Sequence, residues 1–381
     1  MDAFFVEVER LADPALRGVP VVVGGGGRRG VVASASYEAR RYGVHSALPT
    51  AVAQRRCPGL RVVPPDHRAY AAASHRVFEV LGSFTPLVEG VSVDEAFLDI
   101  SGLRLHFSSP RAVAESLLHA IRAETGLPAS VGVATVKLIA KMAADDAKPE
   151  GILVVPAGSE TSYLHPKPVR ALWGVGEATH ARLEQIGAVA IGDLAALPLE
   201  SLVGSLGSAL GHHLAALARG CDPRPVVPGG EPSSVSVEQT YEEDLAGAER
   251  LERELLVLSD RLARRLRRAG SAARTVSLKV RFADFSTITR THSAAEPTDS
   301  ARDLFVAARA LLDRAGAAGR PVRLLGLGAT RLTPESDPRQ LGLAGPDWSA
   351  VSATVDEIRQ RFGEDAVGPA RLAPPAGAGG G

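Results

Sequence analysis

A chain of 381 residues exceeds one ordinary hydrophobic core and predicts two to four domains. Its 43 Lys and Arg balance 43 Asp and Glu, so net charge selects neither nucleic acid nor membrane, and any binding face must be local. Cys57 and Cys221 lie far apart without metal-ligand spacing, which excludes a disulfide framework and a zinc site and fits a reduced, cytoplasmic protein. No secretory leader is evident, and no apolar run approaches the about eighteen residues of a membrane span.

Met1 opens directly onto DAFFVEVER, whose alternation and aromatic content predict a strand running into a helix. A domain rarely begins inside an element, so further residues are expected upstream. Residues 19–23 and 31–35 are β-rich runs around the glycine turn GGGGRRG, which lacks the Lys-Ser/Thr of a phosphate loop. A helix follows at 36–43 with Ser36 as N-cap, then a helix at 68–82, an acidic strand region at 87–100 and a helix at 110–124. Strand 129–134 leads into a helix that the Lys148-Pro149-Glu150-Gly151 breaker ends, and strand 152–155 closes an α/β half.

From about residue 165 the pattern changes to short helices. A Gly174-Val175-Gly176 turn between two of them predicts a helix-hairpin-helix, whose glycine amides can contact phosphates; an ordinary helical connection is the alternative. A Pro/Gly-rich linker precedes strand 234–240, helix 247–269, strands 274–282 and 286–293, helix 299–314 and strand 322–331. That βαββαβ order is a ferredoxin-like unit. Within 261–290 nine Arg or Lys stand against the single acid Asp284, and Arg264, Arg268, Lys279 and Arg281 are candidates for a phosphate-tracking face. A solvated helix is the competing reading. The tail, 334–381, predicts an amphipathic helix with Trp348, Val351, Val355, Ile358 and Phe362 as its apolar stripe, then a disordered Pro/Gly end.

The chemistry concentrates in Ser92 to Ile100, SVDEAFLDI. Adjacent carboxylates in an apolar run need a basic partner, a turn that lifts them into solvent, or a divalent cation. Mg²⁺ takes one or two protein carboxylates and fills its remaining positions with water and phosphate. Tyr37, Arg40 and Lys148 are suited to neutralising a triphosphate, although Arg40 alone also reads as a surface arginine.

DAFFVEVE, SYEARRYGVHSALP, SVDEAFLDI, SVGVATVKLIAKMAADDAKPEG and LWGVGEATHARLEQIG stand in the order found in Y-family DNA polymerases. The chain resembles that family, and its bacterial translesion branch in particular, over roughly residues 1–333. The resemblance implies an α/β and α+β multidomain protein shaped as a right hand. It implies a palm (1–10 and 66–155, its N-terminal strand truncated), fingers (11–65), a helical thumb (156–224), a linker (225–233), a βαββαβ little finger (234–333) and a tail (334–381). It implies Asp94 as a metal ligand, Glu95 as the catalytic acid beside it, Phe5 as a steric gate against a ribose 2′-OH, and Tyr37, Arg40 and Lys148 on the incoming triphosphate. The partners implied are primer-template DNA and dNTPs, with two Mg²⁺ ions as cofactor, no membrane and a monomeric state.

Two departures from the family pattern stand out. The pattern has a further metal-binding Asp immediately before Met1, at the end of a first strand. Asp2, one position on, should face the other way and be a poor substitute. A chain starting at Met1 is therefore expected to transfer nucleotides poorly, and a catalytically silent DNA-binding adaptor is the competing function. In the tail, Gln340-Leu341-Gly342-Leu343 resembles the start of a sliding-clamp peptide, but Ala344 replaces its aromatic anchor.

Overall fold

The computed structural model describes residues 1–230, 232–334, 348–363 and 366–368. The chain divides into two compact units, Met1–Gly230 and Glu231–Gly381.

The first unit opens with helix α1 (Phe4–Ala12) and not with a strand. Phe4, Val6, Val8 and Arg10 are its buried residues. They alternate, which mimics a strand, but Phe4–Val8 and Val6–Arg10 are also four apart and share helix faces. Strands β1 (Val21–Gly24), β2 (Val32–Ala35) and β3 (Arg61–Val63) form a sheet of order β2-β1-β3, with helices α2 (Tyr37–Arg40) and α3 (Thr50–Arg56) between them in sequence. Ser36 caps α2, accepting from the Ala39 amide at 3.2 Å. Helix α4 (His67–Phe84) follows, and the acidic region is a hairpin of β4 (Val88–Gly90) and β5 (Ala96–Leu98). Helix α5 (Pro110–Thr125) leads to β6 (Val131–Val133), helix α6 (Lys137–Asp146) and β7 (Ile152–Val154), and β6 and β7 pair in parallel. The remaining helices are α7 (Glu160–Leu164), α8 (Glu177–Gln185), α9 (Ile191–Ala196), α10 (Leu199–Leu206) and α11 (Ser208–Ala218).

In the second unit, β8 (Ser234–Leu245), α12 (Ala248–Arg268), β9 (Ser271–Phe282), β10 (Thr287–Thr298), α13 (Ala301–Ala315) and β11 (Val322–Pro334) realise the expected βαββαβ order. The sheet order is β10-β9-β11-β8, and every neighbouring pair is antiparallel. Both βαβ crossovers are thus split by an inserted strand. Leu251, Leu255, Leu258, Leu262 and Leu266 of α12 are all buried against Val276, Leu278, Val280 and Phe282 of β9. Burial stabilises the unit by about 1.5–3 kcal/mol per leucine.

The expected helix of the tail is α14 (Trp348–Phe362). Val351 and Phe362 are 48% and 68% exposed, whereas Arg359 is buried. The helix is held through charge: Arg359 donates to both oxygens of Asp260 at 3.0 and 2.9 Å, and Arg267 to Asp356 at 2.6 Å. The amphipathic pattern was present, but the partner surface on α12 is ionic. The candidate clamp segment Gln340–Leu343 lies outside the described residues.

Gly132 sets how closely α6 packs on β6. A Cβ there would stand 2.0 Å from the Ala140 carbonyl oxygen and 2.3 Å from the Ala144 nitrogen. Both are helix backbone, which cannot turn aside. Gly132→Ala is expected to cost about 3 kcal/mol or more, lowering Tm by roughly 6–12 °C in thermal unfolding; an unchanged Tm would show that α6 is not seated on β6 as described.

Candidate active site and nucleic-acid interface

Asp94 and Glu95 stand at the turn of the β4–β5 hairpin. Glu89 pairs with Phe97 and Gly90 with Ala96, and the Val91 and Ser92 amides both donate to the Glu95 carbonyl, at 2.9 and 3.2 Å. The tight turn leaves both acids partly exposed, so much of their desolvation is avoided. Ser92 Oγ donates to Asp94 at 2.7 Å, and Lys141 Nζ of α6 donates to Glu95 at 2.7 Å. Lys148 Nζ is 2.7 Å from Asp145, itself 3.8 Å from Lys141. Asp94, Glu95, Lys141, Asp145 and Lys148 line one cavity of about 200 Å³ together with Met1.

That cavity has a distinctive wall. Ala96 to Leu98 of β5 and Val131 to Val133 of β6 border it, and Leu81, Leu117 and Ile121 are among its apolar lining. Strand β5 pairs only with β4 and β6 only with β7, so among the described residues each has one unpaired edge. The Met1 ammonium donates to the Asp94 carbonyl at 2.8 Å. Burial lowers its pKa by more than the Asp94 carboxylate raises it.

Asp2 is turned away from this cluster and satisfied elsewhere. It is 1% exposed, accepts from Ser130 Oγ at 3.0 and 2.8 Å and takes the Glu150 amide at 2.7 Å. Two hard carboxylates at the lip of a cavity suit Mg²⁺, which needs only one or two from the protein. Among the described residues, no three acid, His or Cys side chains assemble to hold a metal unaided.

Phe5 stacks on Tyr70, with ring centroids 4.2 Å apart and planes at 15°. Tyr70 is fixed in turn by its hydroxyl on Glu9. Tyr37 and Phe5 pack against one hydrophobic cluster, and the Arg40 guanidinium sits 4.5 Å from the Tyr37 ring centre. The Tyr37 hydroxyl is buried without a hydrogen-bond partner. Burial, reinforced by the Asp2 carboxylate, pushes its pKa up by more than Arg40 lowers it. An unsatisfied buried hydroxyl costs about 1–3 kcal/mol, so this atom is suited to a ligand oxygen.

In the turn before α8, Gly174 has φ +96°, a conformation that favours glycine, and a Cβ at Gly174 or Gly176 would meet nothing within 4 Å. The open turn and the α8 N-terminus leave room for a phosphate to approach the backbone.

The candidate cations of the second unit do not share one face. Lys279 and Arg281 point to the open side of the sheet, opposite the buried Leu278, Val280 and Phe282, whereas Arg264 and Arg268 belong to α12, which covers the other side. Sequence proximity could not show this division, because strand side chains alternate between faces. Lys279 is paired with Glu238 at 2.9 Å, and Arg281 donates to Thr287 at 3.0 Å. Arg264 is 3.7 Å from Asp260, and burial lowers its pKa by more than Asp260 raises it. Around Lys279 and Arg281 the register places Ser277, Thr289, Gly326 and Gly328, giving a flat face rich in hydroxyls. Lys279 and Arg281 were nominated from the sequence, whereas the hydroxyls beside them, Lys141, Asp145 and Ser130 were not.

Residues 1–145 match the model of the impB/mucB/samB family, and residues 232–343 match that family's C-terminal domain. Residues 170–222 match the thumb domain of DNA polymerase-iota. A DNA polymerase IV of Desulfatibacillum aliphaticivorans is 40% identical over 377 residues, 98% of this chain and 95% of that protein. The chain belongs to the Y-family of DNA polymerases. A DNA polymerase IV of Halorhodospira halophila is 43% identical over 342 residues, 90% of this chain and 96% of the relative. Among solved structures, a Y-family DNA polymerase chimera of Dbh and Dpo4 superposes with a TM-score of 0.80 at 24% identity, covering 87% of this chain and 97% of that one. The shared fold is the right hand with its additional C-terminal unit.

The Asp2 pocket makes its own prediction. Ser130→Ala removes a hydroxyl that reaches both Asp2 oxygens and leaves the Glu150 amide as donor to Asp2. A loss of about 1–3 kcal/mol is expected in urea unfolding; a midpoint equal to that of the parent chain would contradict the buried role of Asp2.

Proposed function

We propose that this chain is a template-directed, error-prone DNA polymerase acting in translesion synthesis, a Mg²⁺-dependent nucleotidyl transferase without proofreading. The observation that carries the reading is the convergence of Asp94, Glu95 and Lys148 on one cavity at a hairpin turn. Residues 1–10 and 66–155 serve as palm, 11–65 as fingers, 156–224 as thumb, 225–233 as linker and 234–333 as little finger.

Asp94 and Glu95 would hold Mg²⁺, which supplies charge neutralisation on the transferred phosphate. Lys148 exchanges Asp145 for a phosphate oxygen, and the unpartnered Tyr37 hydroxyl and the Arg40 guanidinium bind the rest of the triphosphate. Phe5, held flat by Tyr70, crowds the sugar 2′ position and selects deoxynucleotides. Primer-template DNA lies along the Gly174–Gly176 turn by its backbone, and Lys279, Arg281 and the hydroxyl face bind phosphates in the second unit.

The competing reading is a catalytically silent DNA-binding adaptor.

Primer extension separates the two. Asp94→Asn and Glu95→Gln are each expected to slow extension by about a thousandfold or more while changing primer-template affinity less than about twofold. If the chain extends no primer, the adaptor reading stands. Phe5→Ala is expected to raise ribonucleotide incorporation relative to deoxynucleotide, measured in the same assay; unchanged sugar selection would remove Phe5 from that role.

A further inference from the structure

The linker leaves the first unit through a side-chain clasp on the catalytic hairpin. Glu89 of β4 accepts from Lys137 Nζ with both oxygens, each at 2.6 Å, and from the Val227 amide at 2.8 Å. Lys137 also donates to the Pro225 carbonyl at 3.2 Å. Three residues earlier, the buried Asp222 accepts the Leu138 amide at 3.0 Å, near the start of α6, and binds Arg224 through both oxygens at 2.6 and 2.8 Å. Arg224 lies 4.8 Å from the Trp173 ring centre, and Trp173 packs on Phe97, the β5 residue opposite Glu89. Linker, hairpin and helix therefore share one polar core.

The pair is shielded, with the Lys137 side chain 10% and the Glu89 side chain 25% exposed. Burial pushes the Glu89 carboxyl up, but Lys137, the Val227 amide and Arg224 more than offset it, so it is held below its usual value. The charged form that the clasp needs is the form present at neutral pH. A half-buried ion pair that spends its remaining acceptor on a linker amide serves the linker as well as the hairpin.

We propose that Glu89 and Lys137 are positioning residues that set the working length of the tether between the polymerase hand and the C-terminal unit, and thereby the capture of primer-template DNA. Between Val227 and the start of β8 at Ser234 stand positions 228 to 233, six residues; when the clasp opens the nearest remaining anchor is Arg224, held by Asp222 and Trp173, which leaves 225 to 233, nine residues. The fully extended reach changes from about 20 to about 30 Å. Effective concentration falls as about the −3/2 power of length, so opening the clasp lowers it roughly 1.8-fold.

This inference rests on the polymerase reading, and two readouts on the full chain keep the two apart. In Glu89→Gln, hydrogen exchange of a peptide containing Val227 is expected to rise about tenfold or more. In steady-state primer extension the same variant raises KM for primer-template roughly 1.8-fold with kcat unchanged within experimental scatter. Three glycine and serine residues inserted after Val227 should reproduce the KM change while Val227 stays protected. Unchanged exchange in Glu89→Gln would overturn the clasp. Raised exchange with unchanged KM, or a fall in kcat alone, would overturn its control of DNA capture. Failure of the parent chain to extend any primer would sink the polymerase reading and leave the exchange result to judge the clasp.

Discussion

Two lysines one helical turn apart fasten the β4–β5 hairpin to α6 at two separate points. Lys137 pairs with Glu89 in β4, where the linker docks, and Lys141 with Glu95 at the turn. The spacing of four puts both ammonium groups on one side of the helix, and the hairpin lies along them. Gly132 lets α6 approach β6 closely, so the lysines are carried on a fixed support. The electrostatic frame of Asp94 and Glu95 thus depends on helix packing some distance from the acids themselves.

This arrangement explains how adjacent carboxylates stand in an apolar run. The turn exposes them, and Lys141 and Ser92 bind what the turn does not expose. A basic partner and a turn are both present, and neither removes the oxygens' capacity to bind a cation. Asp2 shows the contrasting solution. Buried and bonded to Ser130 and to the Glu150 amide, it is satisfied by the protein and does not line the cavity.

Much of the fold was legible in the sequence. The β-runs around the glycine turn, the α5 and α6 helices and the βαββαβ order followed from period and breakers, because burial selects side chains at those periods. The start was misread, since Phe4, Val6 and Val8 satisfy a strand and a helix pattern equally, and tertiary burial decided between them. Helix α14 was expected and is present; the sequence did not show that Asp260 and Arg267 of α12 hold it. At the site, the acids and Lys148 were found and brought together, whereas Lys141, Asp145 and Glu89 were not. Single charged residues on a helix or strand carry no sign of their partners, which depend on contacts up to 138 positions away in sequence. The basic face was divided for the same reason, because which side of a sheet a residue takes is a matter of register.

The central claim is that Asp94 and Glu95 form a cation site, while Asp2 does not. Mn²⁺ binding, followed by its magnetic resonance signal in the presence of primer-template and a non-hydrolysable nucleotide, tests it directly. Binding should be lost in the Asp94→Ala, Glu95→Ala double variant and retained in Asp2→Asn, provided the latter stays folded by circular dichroism. Equal Mn²⁺ affinity in the double variant and the parent chain would contradict the account.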